Sequence, residues 1–164
     1  MKTSIVMSTY NGSRYIQEQL DSIRNQTRKP DEVLIFDDGS ADNTYEIIAD
    51  YIVSFGLENW KLKKNPQNYG WKKSFMHAIS CATGDVIFTA DQDDIWCADK
   101  VEKMSDIISK NSNIELLAGN CQEFRFDDVP SEITKGTGKI TPVGIENRWR
   151  YIQRPGCVFA FTKN

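Results

Sequence analysis

Three carboxylates within four residues, Asp91, Asp93 and Asp94, end an apolar stretch and are the group in this chain best suited to chemistry. Like charges this close repel one another, and burying one unpaired is costly, so the cluster favours a bound cation. Hard oxygen donors of this kind suit Mg2+ or Mn2+, with one or two carboxylates in the shell and water and phosphate oxygens completing it. The plainer alternative is a solvated acidic turn capping the helix behind it. Two further polar turns stand upstream, Ser8-Thr9-Tyr10-Asn11-Gly12 and Asp37-Asp38-Gly39-Ser40.

Each turn follows a short apolar run that reads as a buried strand. Ile5 and Val6 lie in the first, residues 33–36 form the second, and Val86, Ile87, Phe88 and Thr89 precede the acidic cluster. Between them the apolar residues recur at helical spacing. Ile16, Leu20 and Ile23 follow Ser13, a candidate N-cap, and Pro30 stops that helix. Ser40 or Asp42 is a candidate cap for a second helix with Ile47, Ile48, Tyr51, Ile52 and Phe55 inward, ended by Gly56. Residues 60–63 are a weaker strand, with Lys61, Lys63 and Lys64 as a solvated edge. Phe75, Ile79 and Ala82 predict a third helix closed by Gly84. Asp99 is placed to cap a fourth, with Val101, Met104, Ile107 and Ile108 inward. Residues 114–126 and 158–162 read as strands and 130–142 as a surface loop. The alternation predicts an α/β fold, a mostly parallel sheet with helices on both faces.

Such a sheet binds ligands outside the carboxyl ends of its strands. If the first, second and acidic strands are parallel neighbours, residues 9–11, Asp37 with Asp38, and residues 91–94 meet along one edge. A site so acidic suits a phosphate that already carries a divalent metal, and an aspartate beside it can accept from a ribose or a base N–H. A nucleoside diphosphate satisfies both conditions. Other phosphate-handling designs match less well. No Gly-x-Gly-x-x-Gly follows the first strand, and Gly136-Thr-Gly138-Lys139 lacks the upstream glycine of a P-loop. A receiver-like phospho-acceptor site built from Asp37, Asp38 and Asp91 stays open. So does a haloacid-dehalogenase-type phosphatase loop at Asp91-Gln-Asp93, although Ile95 departs from its pattern.

With 164 residues, 40% of them hydrophobic, the chain suffices for one domain with a real core. A net charge of -3 argues against nucleic acid as the main partner. Cys81, Cys97, Cys121 and Cys157 are widely spaced, and with one histidine, His77, they suggest reduced thiols rather than a metal centre. His77 itself reads as a packing or surface residue. No signal-peptide pattern and no apolar run of membrane-spanning length is present, so the expectation is a cytoplasmic protein, with peripheral attachment at the inner face of the cell membrane left open.

Together, Ser8-Thr9-Tyr10-Asn11, Asp37-Asp38-Gly39-Ser40, Asn68-x-Gly70 and Asp91-x-Asp93-Asp94-x-Trp96 resemble, in order and spacing, the family 2 glycosyltransferases with their GT-A nucleotide-sugar-binding fold. The resemblance spans residues 1 to about 110 and implies a nucleotide-binding half there, with 111–164 starting an acceptor-side half. It implies that Ser8, Thr9, Tyr10 and Asn11 line a pyrimidine pocket, that Asp38 binds the base with Asp37 supporting it, and that Asn68, Gly70 and Lys73 belong to the nucleotide site. Asp91 and Gln92 would face the donor ribose or sugar, and Asp93, with Asp91, would hold Mn2+ or Mg2+ on the diphosphate. The form Asp-Gln-Asp-Asp-Ile-Trp, with Arg154-Pro155-Gly156-Cys157, is most similar to the bacterial rhamnosyltransferase-like branch.

The implied reaction is metal-dependent, inverting transfer of a sugar from a UDP- or dTDP-sugar to a glycan or lipid-linked glycan acceptor in bacterial polysaccharide biosynthesis. An inverting transferase also needs a general base, which the resemblance places beyond Asn164, so the expectation is a fragment truncated before its base. Asp127, Asp128 and Glu132 are weak candidates within the chain. A nucleotide-binding module without turnover is the second reading. Lys72 and Lys73 are either phosphate partners or a solvated helical turn. Trp96 either stacks on an acceptor or plugs the core, and Trp71, Trp149 and Tyr151 carry the same ambiguity.

Overall fold

A computed structural model describes residues 1–121 and 158–163. The elements run β1 (Thr3–Thr9), α1 (Ile16–Arg24), β2 (Glu32–Asp37), α2 (Thr44–Ser54), β3 (Trp60–Lys64), α3 (Trp71–Cys81), β4 (Val86–Asp91), α4 (Lys100–Lys110), β5 (Leu116–Ala118) and β6 (Phe159–Thr162). The sheet order is β3-β2-β1-β4-β6-β5. β1 to β4 are mutually parallel, while β6 runs antiparallel to both β4 and β5. The expected α/β fold is therefore present, as a mixed rather than wholly parallel sheet.

Side chains that alternate along the strands divide into two layers. Ile5, Met7, Val33, Ile35, Val86 and Phe88 face a core shared with Ile16, Leu20 and Ile23 of α1, Ile48 and Tyr51 of α2, and Val101, Met104 and Ile108 of α4. Val6, Leu34, Phe36 and Ile87 face the other way, against Phe75, Ala78 and Ile79 of α3. Each fully buried Ile or Phe here contributes roughly 1.5–3 kcal/mol. A switch of face is required because the chain adds β2 and β3 on one side of β1 and then returns to place β4 on the other. That reversal, between β1 and β4, opens the crevice where α/β sheets take their ligands.

Several expected caps have other partners. Ser13 does not cap α1, whose first turn follows Tyr15, and its N–H donates to Asp42 instead. The residue before α2 is Asn43; Ser40 is engaged with the loop after β1, while Asp42 serves both, its Oδ1 accepting the Thr44 N–H at the start of α2 at 3.1 Å and its Oδ2 the Ser13 N–H. Asp99 precedes α4 as expected but pairs with Lys103 at 2.6 Å rather than capping. Phe55 is not inward: 48% exposed, it lies under the Arg24 guanidinium. Gly56 does end α2. At φ +59° it permits the Leu57 N–H to reach the Ile52 carbonyl at 3.0 Å and its own N–H to reach Val53 at 3.2 Å, a Schellman closure. The strand expected over 114–126 is, among the described residues, the three of β5.

Candidate functional site

Register sets the site. Parallel pairing aligns Thr9 with Asp37 and Ser8 with Asp91, so the three polar turns leave the sheet side by side. Beyond the strands the turns are tied together by hydrogen bonds. The Asp38 N–H donates to the Thr9 carbonyl at 2.8 Å. The N–H groups of Asn11, Gly12 and Ser13 donate to Ser40 Oγ, Thr44 Oγ1 and Asp42 Oδ2 at 2.9, 2.8 and 3.1 Å. Asn11 Oδ1 in turn accepts the Ala41 N–H at 2.9 Å, an arrangement that holds Asn11 at φ +50°. Ser40 and Asp42 were not singled out as site residues by sequence, because they read as helix caps, and Thr44 carries no local signal of this role.

The two aspartates of the second turn have different tasks. Asp37 is fully buried and accepts from Thr9 Oγ1 at 3.2 Å, the Ser40 N–H at 2.9 Å and the Ser40 hydroxyl. It is the knot between the first two turns. Asp38, 2% exposed, accepts from Asn65 Nδ2 at 2.8 Å, the Tyr69 N–H at 3.0 Å and the Gly70 N–H at 2.8 Å. A carboxylate offers about four acceptor positions, so three donors leave Asp38 one, on Oδ2. Neither aspartate is exposed to an incoming phosphoryl group, which weighs against the phospho-acceptor alternative at both. Asn65, buried and unsuspected from sequence, is the side chain that steadies Asp38.

The loop before α3 closes over this carboxylate. Asn68 Oδ1 accepts the Gly70 N–H at 2.9 Å, and Gly70 turns at φ +83°. Gly39, at φ +80°, admits the loop from below, since a Cβ there would stand 3.1 Å from the Asn68 nitrogen. Tyr10, Tyr69 and Trp71 present large exposed rings around the same turns. Lys72 lies 5.4 Å over the Trp71 ring, and both Lys72 and Lys73 are solvated in the first turn of α3.

At the end of β4, Asp93 is exposed and Asp91, Gln92 and Asp94 are half-buried. Among the described residues no group of three or more Asp, Glu, His or Cys side chains converges as a metal cage. The exposed carboxylate of Asp93, with the half-buried Asp91 near it in the chain, nevertheless fits Mg2+ or Mn2+, which need only one or two carboxylates and keep water and phosphate oxygens in the shell. Gln92 does not reach outward as the resemblance implied, because its amide pairs with the Tyr10 backbone. Trp96 plugs the core: it is 5% exposed, 6.3 Å from the Phe88 ring, with Lys100 Nζ 3.5 Å over its face. His77 is exposed and tilts against Phe36 at 4.8 Å, a packing role. Asp127, Asp128, Glu132, Trp149, Tyr151 and the Arg154–Cys157 motif lie outside the described residues.

Behind the acidic turn, Gln26 reaches across from just past the end of α1. Its Nε2 donates to the Cys97 carbonyl at 2.8 Å and its Oε1 accepts the Val101 N–H at 2.9 Å. The adjacent Thr27 N–H donates to Ala98 at 2.8 Å. Two cavities, of about 380 and 280 Å³, lie at the opposite, amino end of the strands, lined by residues such as Pro30 and Trp60, and Asp31 and Lys61. Neither includes a residue of the three turns.

Residues 4–161 match the model of the family described as Glycosyl transferase family 2. An uncharacterized glycosyltransferase of Nostoc, alr2836, is 30% identical over 129 residues, 73% of this chain and 38% of that protein. The Escherichia coli UDP-Glc:alpha-D-GlcNAc-diphosphoundecaprenol beta-1,3-glucosyltransferase WfgD is 34% identical over 117 residues, 71% of this chain and 44% of that protein. The structure superposes on Staphylococcus aureus TarS 1-349 in complex with UDP with a TM-score of 0.76 and 25% identity, covering 99% of this chain and 47% of that one. The same TarS segment in complex with UDP-GlcNAc gives 0.77 at 25% identity. This chain thus spans less than half the length of each of these proteins.

Proposed function

The chain belongs to glycosyl transferase family 2 and has the family's GT-A fold, and from that premise we propose that it forms the donor-binding part of a metal-dependent, inverting glycosyltransferase. The donor is a UDP- or dTDP-sugar and the acceptor a glycan or lipid-linked glycan in bacterial surface polysaccharide assembly. The observation that carries this reading is the convergence of three polar turns at the β1/β4 switch point, with Asp38 keeping one acceptor position after β2 and Asp93 exposed after β4, on the other side of β1. Support for the donor comes from TarS, solved with UDP and UDP-GlcNAc. Support for the acceptor comes from WfgD, whose name specifies a diphosphoundecaprenol-linked sugar.

In this reading the loop 8–11 and Asp38 hold the pyrimidine, Asn68 and Gly70 close over it, and Lys73 adds positive charge toward the phosphates. Uracil and thymine present the same imide N–H to Asp38, so the proposal covers either donor. Asp93 and Asp91 would hold Mn2+ or Mg2+, whose chemistry is to stabilise the charge gathering on the departing diphosphate. The protein's own part is orientation: the knot at Asp37 and the ties from Ser40, Asp42 and Thr44 fix the loop before the donor arrives, so less ordering remains for binding.

Residues 1–110 carry the nucleotide half and 111–164 begin the acceptor side. The rhamnosyltransferase-like assignment rests on the Asp91–Trp96 and Arg154–Cys157 motifs. A cytoplasmic enzyme working peripherally at the inner membrane face suits a lipid-linked acceptor, and no helix among the described residues is long and apolar enough to cross a membrane.

Saturation-transfer NMR with UDP, dTDP and ADP tests the proposal. Strong transfer to the uracil and thymine ring protons, with little to adenine, is the expected result, and equal transfer to all three contradicts it.

A further inference from the structure

Gln92 lies between two aspartates assigned to donor and metal, yet its amide turns inward. Its Oε1 accepts the Tyr10 N–H at 2.8 Å and its Nε2 donates to the Tyr10 carbonyl at 3.1 Å, so both ends of one planar group engage both polar groups of one residue 82 positions away. The last backbone pair between β1 and β4 is Ser8 with Asp91. Immediately beyond it, the Gln92 side chain supplies one more rung in place of the main chain. Gly12 makes room for it: a Cβ at residue 12 would stand 2.5 Å from Gln92 Cδ and 2.9 Å from Nε2. The Gly12 N–H is itself held by Thr44, so the glycine cannot retreat without breaking another tie.

We propose that Gln92 is a positioning residue that locks the nucleotide-facing loop after β1 to the acidic turn after β4, fixing the distance between pyrimidine pocket and metal carboxylates before a ligand binds. This rests on the function proposed above. A ligand that spans both turns, a pyrimidine nucleoside diphosphate with a divalent cation, gains from the fixed spacing. One that touches only the first turn, a nucleoside, does not. Glutamate at this position keeps the acceptor for the Tyr10 N–H, loses the donor for its carbonyl and adds a charge to a turn that already carries Asp91, Asp93 and Asp94.

The test compares wild type, Gln92→Ala, Gln92→Glu, Gly12→Ala and the Gln92→Ala/Gly12→Ala double variant. Tyr10 amide exchange is followed by NMR, and uridine and UDP are titrated with Mg2+. Loss of two hydrogen bonds should speed Tyr10 exchange and weaken UDP by roughly tenfold in each alanine variant, with at most about a twofold change for uridine. The double variant should be no worse than either single one, since both remove the same rung. The glutamate variant should fall between wild type and Gln92→Ala in Tyr10 exchange. Unchanged Tyr10 exchange, equal losses for uridine and UDP, or additive effects in the double variant would overturn the proposal. A wild-type protein that binds no UDP removes the functional reading instead, and Tyr10 exchange then decides by itself whether Gln92 locks the two turns.

Discussion

The Gly70 N–H donates to Asp38 Oδ2 at 2.8 Å, joining the loop before α3 to the turn after β2 across 32 residues. Because Asp38 is almost fully buried under this loop, a base that reaches its remaining acceptor position must enter beneath the loop, which then closes over it. UDP should therefore change the amide exchange of Tyr69 and Gly70 more than that of β3 residues such as Leu62. Hydrogen exchange measured with and without UDP checks this, and protection unchanged at 69 and 70 during saturation counts against a base at Asp38.

Asp37 and Asp38 are adjacent in sequence and should separate in effect. Asp37→Ala strands three buried donors, so unfolding in urea should show a loss of about 3 kcal/mol. Asp38→Asn keeps one carbonyl acceptor for the loop and should cost less stability than Asp37→Ala while weakening UDP by roughly tenfold or more. Equal stability losses in the two variants would contradict the division of tasks.

Much of this was legible in the sequence, and the part that was not has a common cause. The apolar runs and helical spacings marked β1 to β4 and α1 to α4, because burial on a sheet or helix face repeats at short range. The acidic and glycine-bearing turns marked the site for the same local reason. What sequence could not assign was long-range pairing of polar side chains. Ser40 and Asp42 carry the composition of caps, but the loop after β1, which Ser40 bonds and which Asp42 bonds along with its own Thr44, is brought to them by the register between distant strands. Asn65, Gln26 and the inward turn of Gln92 carry no local signature of these ties, since Asp38, Val101 and Tyr10, to which they reach, lie far along the chain.

Gln26 shows the size of such a tie. From just past α1 it caps α4 by accepting the Val101 N–H while holding the Cys97 carbonyl, and it is 1% exposed. Gln26→Ala leaves both backbone groups unpaired and should lower stability by roughly 2–3 kcal/mol. Thermal unfolding measures this, and a change under about 0.5 kcal/mol, the range of ordinary surface substitutions, would contradict the role.

The tie at Asp42 depends on pH. Burial alone would raise its carboxyl, but hydrogen bonds from Thr44 and Ser13 outweigh it and bring the group from 3.8 down to about 2. A carboxyl lowered on folding stabilises the native state above its unfolded value, and that contribution disappears as pH falls through the folded one. The stability difference between wild type and Asp42→Asn should therefore be constant above about pH 5 and shrink between about pH 4 and 2. Denaturant unfolding across that range reads it directly, and a gap that is flat down to pH 2 contradicts the assignment.

The most direct test of the nucleotide-sugar site is titration calorimetry with UDP and dTDP, with and without Mn2+, using ADP as control and Asp93→Ala as the variant. Binding of both pyrimidine nucleotides that requires the metal, exceeds that of ADP and is lost in Asp93→Ala is the predicted result. Metal-independent binding that survives in Asp93→Ala, or ADP bound as tightly as UDP, would contradict a donor site built on these three turns.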